Sequence, residues 1–552
     1  MNPDQLLKHF DRISEAPDAI AKLRQLILDL AVRGKLVEQD PNDEPASELL
    51  RRIDAARAQA VNAGEIKKEK PQTPVDDDEI PFGLPKSWKW VRIRQVTSGR
   101  GQTVPDKEFT YIDVTAIDKE VGCIKAPKVL RADEAPSRAR KLVRTGDVLY
   151  SCVRPYLLNV AVVDKEITPS PIASTAFAVL NGFGLVNPAF LWIALRSPFM
   201  VGYVEGKMRG QAYPAINDAD FAMLPVPLPP LPEQLRIGAK VDELMRLCDR
   251  LESAQLENEK RRSKLVVASL HGLANGASVE AFRKHAGFYL DHLPRLTARM
   301  EHIHSLQQTV LSLAVRGKLV ASPTTNRVDH NLGSTETGSL TLPVHWSVKP
   351  LSQLAEAIVD CPHSTPKWTA EGRICVRTNQ FHPGHLDLST SRYVSQDTYL
   401  ERIQRLQPVE NDILYSREGG ILGVACRVPS ETRLCLGQRM MLIRAGSKME
   451  AAFLELVLNS PLITDIAKAR TTGGAAPRIN VATVKAYPIP LPPLGEQRYI
   501  VAKVNELMAL CDELASQITH AKNKSHRFLE AVLHAALQTS NLRELPDLAE
   551  ST

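Results

Sequence analysis

The sequence lacks the signatures of most catalytic and metal-binding classes. It has no Gly-x-x-x-x-Gly-Lys-(Ser/Thr) phosphate loop and no His-Glu-x-x-His pair. Of its 8 cysteines, none forms a Cys-x-x-Cys pair, and no Cys/His cluster has zinc-ligand spacing. Eight buried thiols in a reducing compartment are the expectation. No run approaches the ~18 apolar residues that span a bilayer. The N-terminus, Met1-Asn2-Pro3-Asp4-Gln5, carries no basic-then-apolar signal. A cytoplasmic location is therefore expected. A large charge of one sign is also missing, since 69 Lys and Arg against 63 Asp and Glu leave +6 in 552 residues.

What is present is enough material for about two to four domains. Apolar residues are 43% and charged residues 24%, values of an ordinary globular chain. The small positive excess is unevenly placed. Residues 84–232 hold 19 Lys/Arg against 13 Asp/Glu, residues 342–495 hold 17 against 13, and the remainder is net acidic. Two anion-binding domains on a neutral frame would give this pattern.

The chain also repeats itself. Leu30-Ala-Val-Arg-Gly-Lys-Leu-Val37 recurs as Leu313-Ala-Val-Arg-Gly-Lys-Leu-Val320. Leu84-Pro-x-x-Trp88 recurs as Leu342-Pro-x-x-Trp346, and Asp147-Val-Leu-Tyr-Ser151 as Asp412-Ile-Leu-Tyr-Ser416. Ala215-Ile-Asn217 answers Arg478-Ile-Asn480. Pro225-Val-Pro-Leu-Pro-Pro-Leu-Pro-Glu-Gln234 recurs as Pro488-Ile-Pro-Leu-Pro-Pro-Leu-Gly-Glu-Gln497. The order is the same in both halves. Between Val96 and Lys141, and between Leu354 and Gln407, almost nothing aligns. One scaffold kept twice around a diverging region suits two different targets; drift in surface loops is the plainer alternative.

A long helix follows each proline-rich run, because proline blocks extension backwards and an early Glu suits the positive end of the helix dipole. The second helix has a seam of alternating four and three through Ile500, Val504, Leu507, Cys511, Leu514, Ile518 and Ala521, then Phe528 and Val532. The first runs through Ile237, Val241, Leu244, Cys248 and Leu251 and resumes near Leu265. Shorter helices carry Ile20, Leu23, Ile27, Leu30 and Ile303, Leu306, Val310, Leu313, each ending at a glycine, Gly34 or Gly317. The order is cyclic, so the first short helix can pair with the last long one. Ala46 to Ala60 reads as one extra helix, and residues 65–79 and 321–341 read as polar linkers. The domain boundaries expected are 1–83, 84–232, 233–341, 342–495 and 496–552.

Within each repeated domain, short β-like runs precede a helix, at Pro188 to Leu195 and at Ala451 to Leu458. The strand ending Leu-Tyr-Ser leads to Arg154 in the first copy and Arg417 in the second, and arginine donates two bonds to guanine or to phosphate. A glycine- and amide-rich loop follows, with Lys207, Arg209 and Gln211 in one copy and Arg470 and Arg478 in the other. The divergent regions add Arg100 and Gln102, then His363, Lys367, Arg377 and Asn379. A loop that only orders the proline-rich exit is the structural alternative. Asn187-Pro-Ala-Phe190 is similar to the Asn-Pro-Pro-Phe of amino-methyltransferases, but its repeat, Glu450-Ala-Ala-Phe453, lacks the Asn and Pro. A helix start explains both.

These motifs together resemble the specificity subunit of type I restriction–modification systems, across nearly the whole chain. The resemblance implies an α+β chain: two related α/β target-recognition domains, separated by long antiparallel coiled-coil helices in a pseudo-twofold cyclic arrangement. Each domain would bind double-stranded DNA and read one half of a bipartite target. The helices would set the spacer and dock two methyltransferase (modification) subunits, with restriction/translocase subunits joining them. It implies no cofactor on this chain; S-adenosylmethionine, ATP and Mg would sit on the partners. Cys152-Val153 intervenes between Ser151 and Arg154 where the second copy has Ser416-Arg417 directly, a departure that bears on Arg154. The alternative is a coiled-coil scaffold whose twin domains bind proteins.

Overall fold

The seams dictate the frame. The computed structural model describes residues 18–66, 73–210, 214–275, 278–319, 327–331, 339–473 and 477–538. Four frame helices are α1 (Ala19–Val32), α2 (Leu231–Asn275), α3 (Met300–Val315) and α4 (Leu494–Gln538). At 1.5 Å per residue, α2 and α4, with 45 residues each, are about 67 Å long. Ile237, Val241 and Cys248 of α2 are buried, as are Ile500, Val504 and Cys511 of α4. Farther along, the seams shift by one residue from the expected positions. Leu265 is 46% exposed and Val266 is buried instead, followed by Leu270 and Leu273; on α4, Leu529 and Ala536 are buried.

The chain divides into two units, residues 1–257 with 522–552, and residues 258–521. In the first unit α1 lies between the start of α2 and the end of α4. Arg24 reaches Asp249 and Glu252 at 2.7 and 2.8 Å, and Lys22 pairs with Glu530. Apolar contacts join Ile20 and Leu23 to Cys248 and Leu533, and Leu26 and Leu30 to Ala536. α1 therefore runs antiparallel to α2 and parallel to the end of α4, so the first short helix does pair with the last long one. In the second unit α3 has the corresponding neighbours. Leu306 packs with Val266 and Leu270, and Gln307 donates to Asp512. An additional helix, Val279–Asp291, covers this end of α2 through Tyr289.

The repeated motifs meet at one joint in each unit. Gly34 and Gly317 close α1 and α3 at φ +66° and +63°. Each glycine packs against its own Leu-Pro-x-x-Trp motif: a Cβ on Gly317 would lie 2.8 Å from Pro343 Cγ and 3.0 Å from Trp346 Cζ2. Trp88 Nε1 donates to Glu233 Oε2 at 2.8 Å, and Trp346 Nε1 to Glu496 Oε1 at 3.1 Å, tying the motif to the start of α2 or α4. Burial, against the hydrogen bonds of Trp88 and Gln39, pushes the Glu233 carboxyl above its ordinary range. Gln234 and Gln497 each accept the backbone N–H that opens the domain helix, from Asn187 and Glu450, both at 2.8 Å. The motif lysine completes the joint. Lys35 Nζ donates to the Leu537 carbonyl and Lys318 Nζ to that of Ala274, both at 2.6 Å, so each caps the carbonyl end of the long helix that began in the other half of the chain. Gly317→Ala is expected to cost roughly 2–4 kcal/mol, adding left-handed strain to overpacking. A thermal midpoint equal to wild type would refute that account of the joint.

The two repeated domains share a sheet plan. In the first, β1 (Phe109–Ile112), β2 (Ala139–Leu142), β3 (Val148–Ser151), β4 (Val160–Val162), β5 (Pro171–Ser174) and β6 (Phe177–Leu180) form two sheets. One has the order Lys128–Leu130, β1, β5, β2, with β1 and β5 parallel; the other is antiparallel β6, β3, β4. In the second, β7 (Ala355–Asp360), β8 (Arg373–Val376), β9 (Ile413–Ser416), β10 (Ala425–Arg427), β11 (Leu434–Leu436) and β12 (Met440–Ala445) do the same. Their orders are Trp368–Thr369, Arg392–Val394, β8, β11, with β8 and β11 parallel, and antiparallel β7, β12, β9, β10. The proline-rich runs form strands against the segment after each tryptophan, Pro225–Leu228 with Lys89–Arg92 and Pro488–Leu491 with Ser347–Pro350. The domains differ at their edges: among the described residues β2 has no strand counterpart in the second domain and Trp368–Thr369 none in the first. β7 has no strand counterpart in the first domain, where Ser98 makes an isolated bridge to Asn181 and residues 101–103 turn to pair along β2.

Three expectations change. Within the expected linker 321–341, Arg327–Asn331 pairs with Ser339–Pro343 and Leu340 and Leu342 are buried, while residues 321–326 and 332–338 lie outside the described residues. Cys123 is exposed on the short strand Cys123–Ile124, whereas the other seven thiols are buried. The extra helix runs Ala46–Asn62. No helix among the described residues is long and apolar enough to cross a membrane.

Candidate nucleic-acid interface

The site begins with a buried aspartate. Asp147 and Asp412 start β3 and β9, and each is almost fully buried. Burial of a lone carboxylate is costly, so each needs a cation. Arg100 supplies it in the first domain, with Nε and Nη2 3.1 and 3.0 Å from Asp147 Oδ1. Arg444 supplies it in the second, at 2.9 and 2.8 Å from Asp412, and that bond holds its guanidinium above the usual range. Arg444 lies on β12 and Arg100 in a loop before β1. The scaffold keeps the anion and changes the donor.

At its other end each strand meets the glycine-rich loop. Ile216 N donates to Cys152 O at 3.0 Å and Arg154 N to Pro214 O at 2.8 Å; Ile479 N donates to Arg417 O at 2.8 Å and Gly419 N to Pro477 O at 2.9 Å. The loop closes on itself through Arg209 and Ala215, or through Thr472 and Arg478, each pair exchanging two backbone bonds. Asn217 and Asn480 then cap the short helices Asp218–Ala222 and Val481–Lys485. This register corrects the pairing of Arg154 with Arg417. The counterpart of Arg417 is Cys152, and that of Arg154 is Gly419.

The two corners are built from different side chains. Arg417 is buried, with Nε and Nη2 both 2.8 Å from Asp360 at the end of β7, and Nη1 2.8 Å from Glu418. Burial works against its charge, but Asp360 and Glu418 more than offset that and raise its pKa. In the first domain Asp218 takes the corresponding place, 2.6 Å from Lys141 Nζ and 3.7 Å from Cys152 Sγ. Burial first, then Asp218, pushes the Cys152 thiol up to about 12, so it is a neutral filler.

Other candidates lie around these corners. Gln102 is exposed and bridges Lys141 on β2. Lys207 is exposed at the end of helix Pro198–Lys207, and Arg209 is exposed with an ion pair to Asp220 at 3.2 Å. Gln211 lies outside the described residues. His363 is 3.2 Å from Asp360, and its carbonyl accepts from Gln438. Arg377 and Asn379 follow β8, next to the Gly437 segment, where Gly437 N donates to Val376 O. Lys367 is exposed beside Trp368, whose ring is covered by Arg392. Arg470 and Arg478 are exposed at the two ends of the second loop. Residues 437–439 went unnoticed in the sequence. They join β11 to β12 and touch both His363 and Arg417, and no local motif marks them.

Asn187-Pro-Ala-Phe190 is a helix start. Asn187 Oδ1 accepts from Phe190 N at 3.1 Å, and the helix runs Pro188–Arg196.

Residues 343–521 match the family model of the type I restriction modification DNA specificity domain. The chain is 28% identical over 566 residues to the EcoEI specificity subunit of Escherichia coli, covering 94% of both chains. Over nearly its whole length the chain is similar to type I restriction–modification specificity subunits. To the EcoAI specificity subunit of Escherichia coli it is 28% identical over 556 residues, again covering 94% of each. A solved structure concerned with complex assembly and conformational transition of the type I R-M system aligns at TM-score 0.54 and 25% identity, over 83% of this chain and 99% of the other. The corner residues above hold the glycine-rich loops in place through backbone bonds.

Proposed function

We propose that each domain reads one half of a bipartite DNA target through its strand-end corner and glycine-rich loop. The observation that carries this is the same backbone corner appearing twice, surrounded by segments that share neither sequence nor donor residues. Lys207, Arg209, Gln211, Arg470 and Arg478 then supply phosphate and base-edge contacts, with Gln102, His363, Lys367, Arg377 and Asn379 from the divergent regions. Arg100, Arg154 and Arg417 contribute by shaping or lining the corners. The frame helices set the spacer between the half-sites and dock two modification subunits, with restriction subunits joining the assembly. S-adenosylmethionine, ATP and Mg belong to those partners, which methylate an adenine made accessible by flipping. This chain aims that chemistry from the cytoplasm and adds no catalytic group.

Mapping modified adenines in DNA treated with the assembled complex tests the reading. Two fixed half-sites around an unread spacer are expected, with binding that weakens steeply as salt rises. Modification without sequence preference would leave a protein-binding scaffold as the better account.

A further inference from the structure

Arg439 stands at the second corner with a guanidinium that the described contacts leave unused. It is exposed, and no described residue bonds or ion-pairs with its guanidinium. Its backbone is left-handed at φ +69°, a conformation that costs an arginine side chain and that glycine or asparagine would adopt more easily. Its carbonyl is held from below, where Arg417 N donates to Arg439 O at 3.0 Å. In the first domain the equivalent bond runs from Cys152 N to Ala176 O at 2.8 Å, and Ala176 is not left-handed, so the bond alone does not demand that conformation.

The arginine's position gives the strain a purpose. A Cβ on Gly419 would lie 3.3 Å from Arg439 Nη1 and 3.6 Å from its Cδ. The Arg439 side chain therefore fills the space above position 419. Position 419 corresponds to 154, and there the first domain carries an arginine in its own left-handed backbone, at φ +46°. Both domains thus carry an arginine at one corner, residue 154 in one case and residue 439, across a bare glycine, in the other. The buried aspartates show the same exchange, with Arg100 and Arg444 answering Asp147 and Asp412 from different segments.

We propose that Arg439, not Arg417, is the functional counterpart of Arg154, and that each reads a guanine edge in the half-site of its own domain. The fork of a guanidinium matches guanine O6 and N7 in the major groove. The proposal rests on the reading of both domains as DNA readers. Arg417 is a positioning residue whose donors are committed inside the domain. Strain retained under a functional side chain is a recognised pattern at binding sites.

The test uses the complete complex and the mapped pattern of modified sites, with Arg439→Gly and Arg154→Gly. Glycine suits both left-handed backbones, and Arg439→Gly should leave the thermal midpoint unchanged. Arg439→Gly should relax one guanine-containing position in one half-site, by roughly 10- to 100-fold in discrimination. Arg154→Gly should relax a position in the other half-site. Arg439→Lys keeps the charge without the fork and should relax the same position as Arg439→Gly. A pattern unchanged in Arg439→Gly overturns the proposal, even if affinity falls uniformly, since that marks a phosphate contact. Relaxation of the same half-site by both glycine variants also overturns it. A wild-type complex with no bipartite pattern would overturn the underlying reading as well, which separates the two failures.

Discussion

In a subunit carrying Asp360→Ala, the second recognition domain should lose about 3 kcal/mol of stability, and its half-site should degrade before the other. Removing one member of a buried ion pair typically costs 3–5 kcal/mol, because the remaining charge stays in a poor solvent. Here the Arg417 side chain is 8% exposed and both of its bonds to Asp360 are 2.8 Å. The low end of the range applies because Glu418 stays within 2.8 Å of Nη1. Arg417 also anchors the loop, through its carbonyl to Ile479 N, so the loss falls on the recognition corner. Replacing both charges, as Asp360→Leu with Arg417→Met, should restore stability to within about 1 kcal/mol, as buried pairs exchanged for apolar residues of similar volume often do. Urea unfolding of the three proteins gives the energies. If the double variant is stable and keeps its target, Arg417 acts by position. A stable double variant with a lost half-site would instead put Arg417 on the DNA.

The frame was readable because its information is local. Heptad spacing, a terminal glycine and a proline-rich start each act within a few residues, and α1 to α4 follow them. The one-residue shift from Leu265 to Val266 marks where a strict count drifts from the helix repeat. The diverging regions were opaque because their strands are short and paired at a distance. β1 is buried on both faces and pairs with β5, some sixty residues on in sequence, with no alternation to announce it. The pairing of Arg154 with Arg417 failed for a related reason. Sequence alignment matched residue types, whereas the backbone bonds to Ile216 and Ile479 fix the register at Cys152.

Net charge also gave a coarser signal than the structure does. Arg92, Arg100, Arg402, Arg417 and Arg444 are all committed within the domains, to Glu79, Asp147, backbone carbonyls, Asp360 and Asp412. Their charge neutralises internal anions and carbonyl dipoles. Around the loops Lys207, Arg209, Arg470 and Arg478 stay exposed, as does Arg439 at the corner. Counting basic residues located the domains; which of them can reach a ligand depended on the burial of distant carboxylates.

The same logic sets the terms of a domain exchange. Replacing residues 97–143 by the equivalent segment of a relative should change one half-site completely and leave the other intact. The segment contains β1 and β2, which flank β5, and β5 stays behind as the template for both. It also contains Arg100, and Asp147 stays behind fully buried. An incoming segment without an arginine at that place would strand the carboxylate, at a cost of about 3–5 kcal/mol. The exchange should therefore be made twice, once keeping Arg100 and once with glutamine there. With Arg100 kept, unfolding should match wild type and the modified-site pattern should show a new half-site beside the old one. With glutamine, the same new half-site should appear with a thermal midpoint several degrees lower. A target unchanged by the first chimaera would remove specificity from this segment. A glutamine chimaera as stable as the first would mean that Asp147 finds its proton or its partner elsewhere.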